Sequence, residues 1–147
     1  MADETITRDD TLNIAEELGR ARLVALLFCE YGNMAAEGKA NVLAVFDTIQ
    51  AITLNDTTQI SFYLFVRTAN TEGPVYLRIF DPGGKIVIGL EFQADEPELL
   101  PGQPWCTQVL APARLPVKVE GTYWAEVSYK GEVLGRAALY VLLPKMR

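Results

Sequence analysis

Histidine is absent from all 147 residues. Its absence removes the commonest general base, the Ser-His and Cys-His pairs of nucleophilic catalysis, and the commonest zinc ligand. Any chemistry at neutral pH would fall to carboxylates, lysine, tyrosine or a lone thiol. Cysteine is scarce as well: only Cys29 and Cys106 occur. Both lie in apolar stretches that read as strands, so the expected state is two small buried hydrophobes in a reducing compartment. A disulfide facing across two sheets is the lesser reading. Neither cysteine sits at a helix start, so a reactive thiol is not expected. No run of 18 uncharged apolar residues exists, which excludes a membrane-spanning helix. The opening MADETITRDD is acidic where a secretion signal is basic and then apolar, so the expected location is cytoplasmic.

Positive charge is thin over most of the chain. The net charge is −6, with 9 acids and 4 bases in residues 1–50, 7 and 3 in 51–100, and 3 and 6 in 101–147. The bases of the last third are scattered singly. Nucleic acid and anionic membrane are therefore excluded as expected partners. No cofactor motif is present, and none is expected to bind.

What is there is period-two hydrophobicity. One domain is expected, 21–147, preceded by an arm over 1–20. Within the arm, Asp9, Asp10 and Thr11 suit a helix start, and Asn13 with Glu16 has capping-box spacing. Leu12, Ala15 and Leu18 would share one face of a short helix over residues 10–19, too short to stand alone. Residues 22–31 (RLVALLFCEY) read as a strand covered on both faces. Residues 39–54 read as a long strand broken near Asp47. In 60–67 (ISFYLFVR), Ile60, Phe62, Leu64 and Val66 alternate with Ser61, Tyr63, Phe65 and Arg67. In 75–81 (VYLRIFD), Val75, Leu77 and Ile79 alternate with Tyr76, Arg78 and Phe80. Pro82-Gly83-Gly84 is a tight turn into a pairing strand over 86–92. Residues 105–110 read as a short strand, and 111–120 as a proline-interrupted connection with edge-strand character. The closing stretch 121–143 reads as a hairpin turning at Lys130-Gly131.

These elements predict an all-β fold: an immunoglobulin-like antiparallel β-sandwich of about 7–9 strands with a short N-terminal helix. Gly121-x-Tyr123 has the form of a tyrosine corner, and the position two after Tyr123 is Ala125, so the antibody disulfide is absent.

Several of the motifs are shared. Cys29-Glu30, Glu37-Gly38-Lys39, Val45-Phe46-Asp47 with Ile49, Asp81-Pro82-Gly83-Gly84, Leu100-Pro101-Gly102-Gln103, and Gly121-x-Tyr123 with Lys130-Gly131-Glu132 together resemble a family of uncharacterised bacterial proteins. The resemblance spans roughly residues 23–141. It implies an immunoglobulin-like sandwich with no assigned activity and carries over no catalytic residue. The family pattern has glycine where this chain has Ala44, a departure expected to stiffen that strand.

Four aromatics stand out as candidate site residues. With the core taken by the alternating aliphatics, Tyr63, Phe65, Tyr76 and Phe80 are expected to face outward on one sheet. Such a patch exceeds what monomers usually expose. It is either covered by the N-terminal helix or serves as an interface with a second copy or another protein. The leading function is a non-enzymatic protein-interaction or self-assembly module. The alternative is a sandwich binding carbohydrate through the aromatics, or Ca²⁺ through Asp95, Glu96 and Glu98. A carboxylate enzyme built from Glu30, Glu37 and Asp47 ranks last. No catalytic residue and no metal ligand is assigned.

Overall fold

A computed structural model describes residues 19–35, 39–51, 58–94 and 106–143. Among them the chain forms nine strands: β1 (Arg22–Met34), β2 (Ala40–Phe46), β3 (Thr48–Gln50), β4 (Gln59–Ala69), β5 (Gly73–Phe80), β6 (Ile86–Ala94), β7 (Cys106–Pro116), β8 (Gly121–Tyr129) and β9 (Glu132–Leu142). The helix expected over residues 10–19 lies, all but its last residue, outside the described residues, as does the Glu37-Gly38 turn.

Two sheets form, with orders β2-β1-β4-β7 and β3-β9-β8-β5-β6. Every pairing is antiparallel except β3 with β9, which is parallel. The break expected near Asp47 is therefore a change of sheet. β2 pairs in the first sheet, and β3 continues in the second, tied by Tyr140 N donating to Asp47 O at 2.8 Å and Ala51 N to Leu142 O at 2.9 Å. The Asp47 carboxylate accepts from the Thr48 hydroxyl at 3.0 Å.

The period-two pattern fills one core. Phe62, Leu64 and Val66 of β4 pack in the same buried cluster as Val75, Leu77 and Ile79 of β5, Ala125 and Val127 of β8, and Leu139 and Val141 of β9. Phe28, Phe46 and Phe62 gather near one side, with ring centroids 5.8–6.2 Å apart. Burying each such side chain contributes about 1.5–3 kcal/mol against the entropy of ordering the chain. The proline-rich stretch is one continuous strand: β7 carries Pro112 and Pro116 because it is an edge strand, with one side unpaired in its sheet.

Two turns set the hairpins. Lys130 (φ 49°) and Gly131 (φ 80°) make a two-residue turn of the type whose twist matches the strands it joins. In the β5–β6 turn, Asp81 O accepts from Gly84 N at 2.9 Å, while the Asp81 carboxylate accepts from Lys85 N at 2.8 Å. This turn also packs on the start of β8: a Cβ on Gly121 would lie 2.9 Å from Pro82 Cγ.

Tyr123 is the tyrosine corner that its sequence context suggests. Its ring is buried, and its hydroxyl donates to Val119 O at 2.8 Å, closing the loop between β7 and β8. With these two packed sheets, the fold is an immunoglobulin-like β-sandwich.

Three expectations are corrected. The two cysteines are not both buried, since Cys106 is exposed, and they do not face each other across the sheets. Both are free and belong to the same sheet, Cys29 opposite Tyr63 and Cys106 opposite Ala69 on the strand between them. Ala44 does not stiffen a regular strand: its φ is +56°, in the left-handed region where a Cβ is strained and glycine is not. Tyr63 and Phe65 do not share a sheet with Tyr76 and Phe80, because the chain crosses between sheets after β4, turning at Asn70 (φ 58°).

Ala44→Gly is expected to raise stability by about 0.5–1 kcal/mol in urea unfolding, the relief of left-handed strain outweighing the extra freedom of the unfolded chain. Tyr123→Phe is expected to cost about 1 kcal/mol at pH 7. Burial, with the charge of Asp81 adding to it, pushes the Tyr123 phenol above its ordinary value of 10.0. The unfolded chain therefore loses that proton first, and the wild type should lose stability relative to Tyr123→Phe as pH rises above about 10. Parallel denaturation curves between pH 7 and 11 check both the cost and its sign.

Candidate functional site

A sandwich spends one face of each strand on its core, so the other faces form two outer surfaces. On the five-stranded sheet the strand registers set that surface out in rows. Phe80 stands opposite Ile86 on one side and Trp124 on the other, and Trp124 stands opposite Ala138. This gives an apolar row across four strands, β6, β5, β8 and β9. The next row is charged: Arg78 opposite Glu126, and Glu126 opposite Arg136. Beyond it, Tyr76 stands between Glu91 and Ser128.

The apolar row is open to solvent. Trp124 is 43% exposed and Ile86 49%, with Tyr76 at 37% and Tyr140 at 45% on the same surface. The charged row is held tightly. Glu126 is buried although it points outward, and it accepts from Arg136 Nε at 3.0 Å. The Arg78 guanidinium lies over the Tyr76 ring, 5.7 Å from its centroid. Arg78 and Arg136 balance Glu91 and Glu126, so this part of a −6 chain is locally neutral. Between the Asp81–Gly84 turn and Trp124 runs a shallow groove of about 660 Å³, lined by Phe80, Pro82, Trp124, Glu126 and Arg136.

The outer surface of the four-stranded sheet differs. Its rows are Leu27–Phe65–Leu110, Cys29–Tyr63–Pro112 and Ala25–Arg67–Gln108. Beyond Cys29, β1 no longer pairs with β4 and leans across toward β7. A Cβ on Gly32 would lie 2.8 Å from the Leu110 methyls. Tyr31 meets Tyr63 edge-on at 6.2 Å. Phe65 and Cys29 are buried under this overhang, and burial pushes the Cys29 thiol above its ordinary value.

The four aromatics named from sequence thus divide between two surfaces. Tyr76 and Phe80 join the open one. Tyr63 is half-buried, and Phe65 is closed off. Trp124, Glu126, Arg136, Ile86 and Tyr140 belong to the site and were not assigned to it from sequence. Their signal was the alternation of β8, which puts Trp124 and Glu126 opposite in direction to Tyr123. Of the carboxylates of the enzymatic reading, Glu30 lies beside Ser61, Tyr63 and Arg114 and Asp47 apart from it, beside Leu26, Phe46 and Ala137, while Glu37 lies outside the described residues. Asp95, Glu96 and Glu98 also lie outside them. Among the described residues no helix is long and apolar enough to cross a membrane.

No match is found among curated proteins. Among solved structures, an immunoglobulin-like protein from Pseudomonas aeruginosa is similar at 13% identity with a TM-score of 0.45, the likeness covering 83% of this chain and 96% of that one. A family model matches residues 24–142, nearly all of the sandwich. The chain belongs to that family, DUF6941, a family of unknown function.

Proposed function

We propose that the chain is a non-enzymatic interaction module that assembles with a second copy of itself through the outer surface of the five-stranded sheet. The observation that carries this reading is the apolar row Ile86–Phe80–Trp124, exposed at Ile86 and Trp124 with Phe80 half-buried between them, beside a buried, arginine-paired carboxylate. Exposed aromatics flanked by held charges are the composition of an interface core and its rim. The local charge balance favours a second copy as the occupant. Two −6 chains repel over most of their surfaces, and a neutral patch is where they can approach. The unpaired thiols of Cys29 and Cys106 support a reducing, cytoplasmic setting.

The exposed Trp124 indole beside a groove holding a carboxylate and a guanidinium also favours a second reading, a carbohydrate subsite, since sugar rings stack on aromatic faces while their hydroxyls bond to charged groups. A thermal-shift panel of neutral glycans separates the two: a Trp124-dependent rise in Tm with one glycan supports the sugar reading.

Phe80→Arg with Trp124→Arg is expected to convert a dimer to a monomer in native mass spectrometry while leaving the unfolding midpoint nearly unchanged, because both side chains lie outside the core. Wild-type protein that stays monomeric at concentrations on the order of 100 μM would overturn the proposal.

A further inference from the structure

At a two-fold interface, a residue of one copy that meets a second residue of the other is met in return by the same pair. The outer surface of the five-stranded sheet is laid out in rows, so its fit to itself can be followed position by position. Four strands carry the rows, in the order β6, β5, β8, β9. The apolar row runs Ile86, Phe80, Trp124, Ala138, and the charged row runs Gly89, Arg78, Glu126, Arg136. A third row runs Glu91, Tyr76, Ser128, Val133.

All three rows have their midpoint between β5 and β8. A two-fold axis parallel to the strands at that midpoint lays β9 of a second copy over β6 and β8 of that copy over β5. In the apolar row Ala138 then meets Ile86, small against large, and Trp124 meets Phe80, ring against ring. In the charged row Glu126 meets Arg78, with opposite signs. Arg136 meets Gly89, where a Cβ would have nothing within 4 Å. The Arg136 side chain is 57% exposed although its Nε donates to Glu126, and the bare Gly89 position gives it a seat on the second copy. In the third row Ser128 meets Tyr76, again small against large. Glu91 stands two residues along β6 from that seat, about 7 Å, so its carboxylate comes beside the Arg136 guanidinium of the second copy. An axis across the strands at the charged row does the reverse, setting Arg78 on Arg78 and Glu126 on Glu126.

We propose that the second copy docks with its strands aligned to these, β9 over β6 and β8 over β5. Phe80 and Trp124 stack at the centre, and Arg136 pairs with Glu91 of the other copy at both rims. Aligned sheets pack about 10 Å apart at an angle of about 30°, a gap that side chains from both faces fill. This arrangement rests on the self-assembly proposed above. It adds the residues that select the partner and its orientation.

The test uses the full chain carrying Cys106→Ser, which removes the exposed native thiol. One version also carries Ile86→Cys and another Ala138→Cys. Each is treated alone, and then as an exchanged equimolar mixture, with a short bismaleimide. In the proposed dimer Ile86 of one copy lies over Ala138 of the other, while the two Ile86 positions are three strand spacings apart, about 14 Å. The mixture should therefore cross-link at least about tenfold more than either version alone. Gly89→Phe, which fills the Arg136 seat, should weaken dimerisation at least about tenfold while leaving the unfolding midpoint nearly unchanged. Ile86→Cys that cross-links to itself as well as to Ala138→Cys would overturn the arrangement while leaving the self-assembly reading intact. Unchanged dimerisation of Gly89→Phe would do the same. A wild type that is monomeric in native mass spectrometry at concentrations on the order of 100 μM would overturn both.

Discussion

Leu64 and Val66 of one sheet share a core with Leu77, Ile79, Val127 and Leu139 of the other, and the remaining structure depends on that packing. Strand side chains alternate, so each residue committed inward sends its neighbours outward. The core thus fixes two outer surfaces as well as itself. The tyrosine corner at Tyr123 closes the loop between β7 and β8, and the parallel run of β3 on β9 ties the chain leaving β2 to the second sheet. Among the described residues both cysteines are free, so no disulfide adds to this. Packing and hydrogen bonding carry the sandwich.

The two outer surfaces have different chemistry. One is overhung by the β1–β2 hairpin, buries Phe65 and Cys29, and keeps a guanidinium N–H without an acceptor. The other is aromatic, neutral in sum and open at Trp124 and Ile86, with Glu126 held by Arg136. A monomer gains nothing from leaving Trp124 and Ile86 in water, and removing them from water on association would contribute to binding. The interaction proposed above is assigned to the five-stranded sheet for that reason.

Much of the fold is legible in the sequence, because alternation is local. The inward residues of β4 and β5, the turn at Lys130-Gly131 and the corner at Tyr123 all follow from a few adjacent positions. Sheet membership is not local. β4 and β5 look like neighbours in one sheet until the turn at Asn70 carries the chain across the core, and this splits Tyr63 and Phe65 from Tyr76 and Phe80. The charged row is hidden for a similar reason. Counting back from the two-residue turn pairs Glu126 with Gly135. A bulge between Val127 and Ser128 leaves one extra residue on β9 and brings Arg136 opposite instead. The resemblance marks Ala44 as a place where glycine is expected, but the physical meaning of that departure comes from the φ angle.

The central claim is that the surface around Trp124 becomes covered when the protein acts. Hydroxyl-radical footprinting read by mass spectrometry at single-residue level tests this directly, because Trp124 is both highly oxidisable and 43% exposed in one chain. The account predicts that Trp124 and Tyr76 become protected together as protein concentration rises, while Tyr31, exposed on the other sheet, does not change. Oxidation of Trp124 that stays the same from dilute to concentrated protein would contradict it.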